Sequence, residues 1–236
     1  MRVSRVGHRV SEWMTNRPCS LHLFSKGFGL TSIDSPIPQV FALLLAAGRS
    51  RRFDGDKRRA TLPCGRTLLR ASIDNAVDAF SEVWVVVREE DDADLLDVPQ
   101  QVKVVRSPQA DLGMGHSLAS GIEALMPSRA DAVAVLLADM PWIQPATLQA
   151  LARMANPGRI ALPGHDGQRG HPVIIGREFW PLLLNLEGDQ GAKSIIKSHP
   201  ERCDVLVCDD PGILRDADTQ AALALACQTF VKAAGD

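Results

Sequence analysis

The sequence predicts an α/β fold, three layers deep (α/β/α) around a mostly parallel sheet, and three observations predict it. Short apolar runs recur from residue 40 onward, several of them are continuous rather than alternating, and stretches with helical periodicity lie between them. A continuous apolar run suits a strand covered on both faces, and strands joined by helix-length crossovers pair in parallel with right-handed connections. Ligands of such sheets gather at the carboxyl ends of the strands.

VFALLLA (residues 40–46) is the first continuous run. Apolar residues at 69, 73, 76, 77 and 80 then form one stripe of an amphipathic helix. VWVVV (83–87) and VKVV (102–105) are the second and third strands, and Leu118, Ile122 and Leu125 mark a short helix expected to begin near Ser117. AVAVLLA (132–138) is the fourth strand, with a helix carrying Leu148, Leu151 and Ala152 after Pro145. The second half supplies strands at RIALP (159–163), HPVII (171–175) and DVLVCD (204–209), helices around REFWPLLLNL and AKSIIKSH, and a closing helix from about Thr219.

Composition narrows the function. The 236 residues are 45% apolar and carry a net charge of -2, so no global positive field draws the chain to nucleic acid or an anionic membrane, and any anion site is local. No apolar run reaches the roughly 18 residues of a membrane span. Cys19, Cys64, Cys203, Cys208 and Cys227 lack zinc-type spacing and read as reduced thiols of a cytoplasmic protein. Residues 1–38 differ from the rest: Arg2, Arg5, Arg9, Arg17 and Lys26 face only Glu12 and Asp34, and the stretch ends in the breaker-rich SIDSPIP. They are expected to be a disordered extension, an upstream start with Met14 as an internal alternative, or a segment resembling a transit peptide in composition. One domain is expected over residues 39–230, followed by a tail at 231–236.

The most informative stretch is FALLLAAGRSRRFDGDKRRATL, where a buried strand runs into a basic, small-residue loop. A glycine there lets backbone approach a ligand and adopt positive φ, and exposed N–H groups form an anion nest. Arg49, Arg51, Arg52 and Lys57 supply charge suited to phosphates. GRSRRFDG is neither GxGxxG nor a loop ending in GK[ST], which disfavours a nicotinamide dehydrogenase and a Walker loop. On chemistry alone, a solvated arginine-rich turn stays open.

LLAAGRSRRFDGDK closely resembles the LAAGxSxRF/MGxxK signature of nucleotidyltransferases with a GT-A-like, Rossmann-like fold, specifically those that attach a nucleotide to molybdopterin, the molybdenum cofactor cytidylyltransferases. The resemblance implies that Ala46, Ala47, Gly48, Arg49 and Ser50 wrap the triphosphate and that Arg52 and Lys57 contact it. Asp54 departs from the glycine of relatives, and the following Gly55 implies a shifted turn.

Asp139, in LLADMPW, stands at the carboxyl end of the fourth strand, where a carboxylate suits a hard divalent cation, although an aspartate capping the next turn also fits. LADMPW matches the metal position of the resembled family and implies Mg2+ there. RDADTQ offers a second ligand, Asp218, with Asp216 as the alternative; either also suits a helix N-cap.

Gly113, Gly115 and Ser117, in GMGHSL, match the family segment that contacts base and ribose, and the glycines would let a flat base lie against backbone. Gly170, His171 and Pro172 in GQRGHPVII, with Asp189, Gly191 and Lys193 in GDQGAKSII, match its acceptor segments. The second of these leads into a helix whose first N–H groups would receive a phosphate. Lys193 replaces a common arginine and loses the bidentate fork. LAAG together with GMGHSL and GHPV is the cytidylyltransferase pattern, whereas GMP-transferring relatives tend to read LAGG.

The resemblance spans roughly residues 40–222. It implies transfer of CMP from CTP to molybdopterin or the molybdenum cofactor, delivered to a molybdenum hydroxylase or its maturation factor. GTP use, a sugar or polyol phosphate acceptor, and a non-catalytic delivery module remain the alternatives.

Overall fold

The computed structural model describes residues 38–233, with side chains through Cys227, so the expectations for most of the N-terminal extension and for the end of the tail lie outside the described residues. The order is β1 (Val40–Leu45), α1 (Leu68–Val77), β2 (Val83–Arg88), β3 (Lys103–Ser107), α2 (Met114–Leu125), β4 (Ala132–Leu137), α3 (Pro145–Arg153), β5 (Ile160–His165), β6 (Gln168–Arg169), β7 (Val173–Gly176), α4 (Trp180–Leu183), α5 (Lys193–Ser198), β8 (Cys203–Val207) and α6 (Gln220–Ala233). The sheet runs β3-β2-β1-β4-β7-β5-β6, and β8 also pairs with β5. β1 is parallel to β2 and β4, and β2 to β3. β7 is antiparallel to both β4 and β5.

The continuous apolar runs are explained by two-sided burial. Ala42 and Leu44 of β1 pack with Leu69, Ile73, Leu148 and Leu151 of α1 and α3 on one face. Phe41 and Leu43 pack with Leu118, Ile122 and Leu125 of α2, and with Trp180 and Leu183 of α4, on the other. The helix layer is close: a Cβ at Gly121 of α2 would lie 2.6 Å from a Leu43 methyl. This is the three-layer α/β/α architecture the sequence predicts.

The departures have local causes. α2 begins at Met114, three residues before Ser117, because Gly113 already turns the chain into the helix at φ 124. The REFWPLLLNL segment opens as a 3₁₀ turn at Arg177–Phe179 before α4, and Pro181 sits in the first turn of α4, where its missing N–H costs nothing. β6, two exposed residues long, was not foreseen.

The reversal at β7 matters for function. Its incoming end at Val173 pairs with Val135 of β4, so the segment before β7 arrives at the same sheet edge as the segments leaving β1 and β4.

Candidate active site

At that edge the chain assembles a cation between carboxylates. Beyond β1, Asp56 caps a 3₁₀ turn at Lys57–Arg59 by accepting from the Arg58 N–H at 3.1 Å, which aims Lys57 across the sheet edge. Lys57 Nζ donates to Asp139 Oδ2 at 2.6 Å and to Asp218 Oδ1 at 3.1 Å. The partners come from segments 82 and 161 residues away in sequence. The Asp139 carbonyl accepts from the Ala217 N–H at 3.0 Å, which fixes the 216–218 segment beside the end of β4. Arg52, largely exposed, pairs with Asp218 Oδ2 at 2.6 Å.

Electrostatics follow from this packing. Burial alone would lower the Lys57 pKa, but Asp139 and Asp218 override it and hold the ammonium above the ordinary lysine range. Asp216 does not contact Lys57 in the described hydrogen bonds; partial burial, then the Asp218 and Asp139 charges, raise its pKa. Burial pushes His171 below the usual histidine range, opposed only in part by Asp139, and its Nδ1 is buried without a hydrogen-bond partner among the described residues. His171 is joined to Pro172 by a cis peptide bond, and its N–H donates to the Ile213 carbonyl at 3.0 Å. Gly170 is required at this crossing, since a Cβ would stand 2.3 Å from that carbonyl oxygen.

Other predicted residues take different places. Arg49 turns from the crevice to Asp111 (Nη2 to Oδ2, 2.5 Å) and Glu90 (3.2 Å). A Cβ at Gly48 would meet nothing within 4 Å, so the backbone there is open to approach. The positive φ expected at Gly48 falls instead on Ser50 (φ 52) and Gly55 (φ 101), the latter directly after Asp54. Gly113 and Gly115 face protein rather than open space: Gly115 donates to the Gly188 carbonyl at 2.7 Å, and a Cβ on Gly113 would lie 2.3 Å from the Gly188 carbonyl carbon. Gly191 (φ 50) packs near the Met114 sulfur. The 113–117 and 187–193 segments thus form one junction, with Ser117 buried in it and Asp189 beside Gly113. α5, which Lys193 opens, is six residues long.

Sequence reasoning missed the brace behind the first loop. Arg58 is 4% exposed and donates to Asp56, to Asp91 and to the Ala46 carbonyl. Arg88 donates to the Ala47 carbonyl at 3.1 Å and to the Gly48 carbonyl. The only available signal was Asp56 two residues before Arg58, in a run of basic residues that otherwise reads as solvated.

A cavity of about 640 Å³ lined by Phe53, Asp54, Arg59 and Leu223 lies behind this loop, and one of about 410 Å³ lined by Phe41, Trp84, Lys103 and Arg129 lies at the opposite strand ends. Neither includes Lys57 or Asp139.

Among the described residues no group of three histidine, cysteine or acidic side chains forms a metal cage. The donor set nevertheless fits magnesium, which typically takes one or two protein carboxylates and completes its shell with substrate phosphates and water. Asp139 and Asp218 are hard oxygen donors already converging on one positive charge.

The profile of the MobA-like NTP transferase domain matches residues 42–203. The chain belongs to this family. Its match runs from β1 into β8 and so contains Lys57, Asp139 and His171, while Asp218 lies beyond it. The purine catabolism protein PucB of Bacillus subtilis is 29% identical over 192 residues, covering 77% of this NTP transferase-family chain and 93% of PucB. The nicotine blue oxidoreductase of Paenarthrobacter nicotinovorans is 28% identical over 197 residues, 79% of this chain and 95% of that one. A probable molybdenum cofactor guanylyltransferase of Chloroflexus aggregans is 36% identical over 134 residues, 53% of this chain and 60% of that one. No helix among the described residues of this family member is long and apolar enough to cross a membrane.

Proposed function

We propose that this nucleotidyltransferase moves CMP from CTP to the terminal phosphate of molybdopterin or the molybdenum cofactor, releasing pyrophosphate. The observation that carries the reading is the Lys57 ammonium between Asp139 and Asp218 at the edge where the β1 loop opens. The acceptor phosphate is already an anion, so attack on the α-phosphorus needs alignment and charge stabilisation more than a base. Lys57 and Arg52 neutralise the triphosphate, and the backbone from Ala46 to Ser50 lies along it. Asp139 and Asp218 would hold Mg2+, which when bound supplies positive charge to the α-phosphate and leaving group. The segments Gly170–Pro172 and Asp189–Lys193 are the acceptor side.

CTP is favoured by the LAAG, GMGHSL and GHPV spellings. GTP is the second reading, supported by the name of the Chloroflexus relative. The oxidoreductase name among the relatives finds no dinucleotide fingerprint in the β1 loop, GRSRRFDG. The test is pyrophosphate release with CTP, GTP and ATP, each with molybdopterin, molybdenum cofactor or a polyol phosphate. CTP with a molybdopterin acceptor is expected to exceed the rest. Tenfold faster turnover with GTP overturns the base assignment, and turnover only with a polyol or sugar phosphate overturns the acceptor.

A further inference from the structure

The β1 loop has two edges, and they are treated differently. On one edge three consecutive carbonyls are taken by guanidinium groups. Arg58 Nη1 donates to Ala46 O at 2.9 Å, Arg88 Nε donates to Ala47 O at 3.1 Å, and Arg88 Nη2 donates to Gly48 O. The two arginines share one anchor. Asp91 accepts from Arg58 Nη1 at 2.5 Å and Nη2 at 2.8 Å, and from the Arg88 backbone N–H at 2.8 Å. Asp56 accepts from Arg58 Nε at 2.9 Å and closes the frame from the Lys57 side.

On the other edge, among the described residues none accepts a hydrogen bond from the backbone N–H groups of Ala47, Gly48, Arg49, Ser50 or Arg51. Ladder pairing ends just before them, with the Ala46 N–H donating to Val86 O at 2.8 Å. The two edges are coupled by covalent geometry. A trans peptide is planar, so fixing the carbonyl of one residue turns the next N–H the opposite way. Holding the carbonyls of residues 46, 47 and 48 therefore orients the N–H groups of 47, 48 and 49. Successive N–H groups without internal acceptors make a concavity for anions.

We infer that Arg58 and Arg88 are positioning residues for phosphate binding: joined through Asp91, they clamp the carbonyl edge of the β1 loop so that its N–H edge faces the triphosphate. Neither arginine touches the nucleotide in this arrangement, so the charge that matters acts from behind the backbone. The assignment rests on the nucleotidyltransferase reading and deepens it, because an N–H edge reads phosphate oxygens and not the base. Loss of the clamp therefore weakens every triphosphate to a similar degree.

The experiment is titration calorimetry of the full chain with CTP, GTP and inorganic tripolyphosphate in magnesium buffer. Arg88→Ala is the main variant, because its side chain lies nearer the rim than that of Arg58. By analogy with the outer partners that orient metal ligands, whose loss costs about 10–100-fold in affinity, a loss in that range is expected for all three probes. Millimolar guanidinium is expected to restore part of the loss, which a general loosening of the fold would not allow. Arg88→Lys, which fills the space with one fewer arm, covers the case in which the alanine variant does not fold, and an intermediate loss is expected. Unchanged tripolyphosphate affinity in a folded Arg88 variant, or a loss confined to one base, overturns the assignment alone. A wild-type chain that binds none of the three probes overturns the nucleotidyltransferase reading and the assignment with it.

Discussion

Lys57 is the residue on which the site turns, because its ammonium occupies the point where Asp139 and Asp218 converge. On the proposed function, a hard divalent cation would draw on the same carboxylate oxygens, so the lysine and the metal would compete for them until triphosphate oxygens took over the lysine. The wild-type chain is therefore expected to bind Mn2+ weakly without nucleotide. Lys57→Met should bind it more tightly by electron paramagnetic resonance, while losing about 10²–10³ of pyrophosphate-releasing activity. Equal Mn2+ affinity in the two proteins would show that the ammonium and the metal do not share ligands. Asp139→Asn keeps the shape of the side chain and removes its charge. It should lose activity on the same scale with a circular dichroism spectrum like that of the wild type, and undiminished turnover would remove Asp139 from the chemistry.

At the scale of elements, the junction between α2 and the 187–191 turn is a place where a single methyl group disturbs the fold in two ways at once. Gly113 combines φ 124 with a Cβ position 2.3 Å from the Gly188 carbonyl carbon, so Gly113→Ala suffers both backbone strain and overlap with main chain that cannot swing away. The combined cost is roughly 2–6 kcal/mol, read as a lower urea midpoint. Gly48→Ala, which meets nothing within 4 Å, should leave the midpoint nearly unchanged and weaken nucleotide binding instead. The contrast also shows which parts of the fold were legible in the sequence. β1 and β4 could be read because two-sided burial writes itself as an unbroken apolar run. The direction of β7 could not, since such a run carries no sign of parallel or antiparallel pairing. β6 is two exposed residues whose strand character exists only through β5. At the site, Lys57, Asp139 and Asp218 were legible through their motifs, and the structure brings them together. The clamp was not. Arg58 sits between Lys57 and Arg59, basic residues of similar type, and its burial depends on Asp91, 33 residues away.

For the whole molecule, the same buried charges set how stability depends on pH. Asp56 and Asp91 are pushed upward by burial, yet Arg58 carries both below the ordinary 3.8, and their contribution is lost only as the medium becomes strongly acidic. Lys57 is held above 10.5, so its contribution is complete through neutrality and lost in alkali as pH rises through its folded value. His171 acts in the range between. Burial lowers its pKa below the ordinary 6.5, so the folded state keeps the imidazole neutral while the unfolded chain takes up a proton as pH falls. Where the unfolded state binds more protons, stability decreases with decreasing pH. The thermal midpoint is therefore expected to begin falling below about pH 6.5, well before Asp56 and Asp91 respond, and to do so reversibly. His171→Gln removes the titrating group while retaining a polar side chain of similar reach. Its midpoint should be lower at neutral pH but flatter between pH 5 and 6.5, so that the wild-type and variant curves converge on the acid side. Parallel curves across that interval would place the acid sensitivity elsewhere in the molecule.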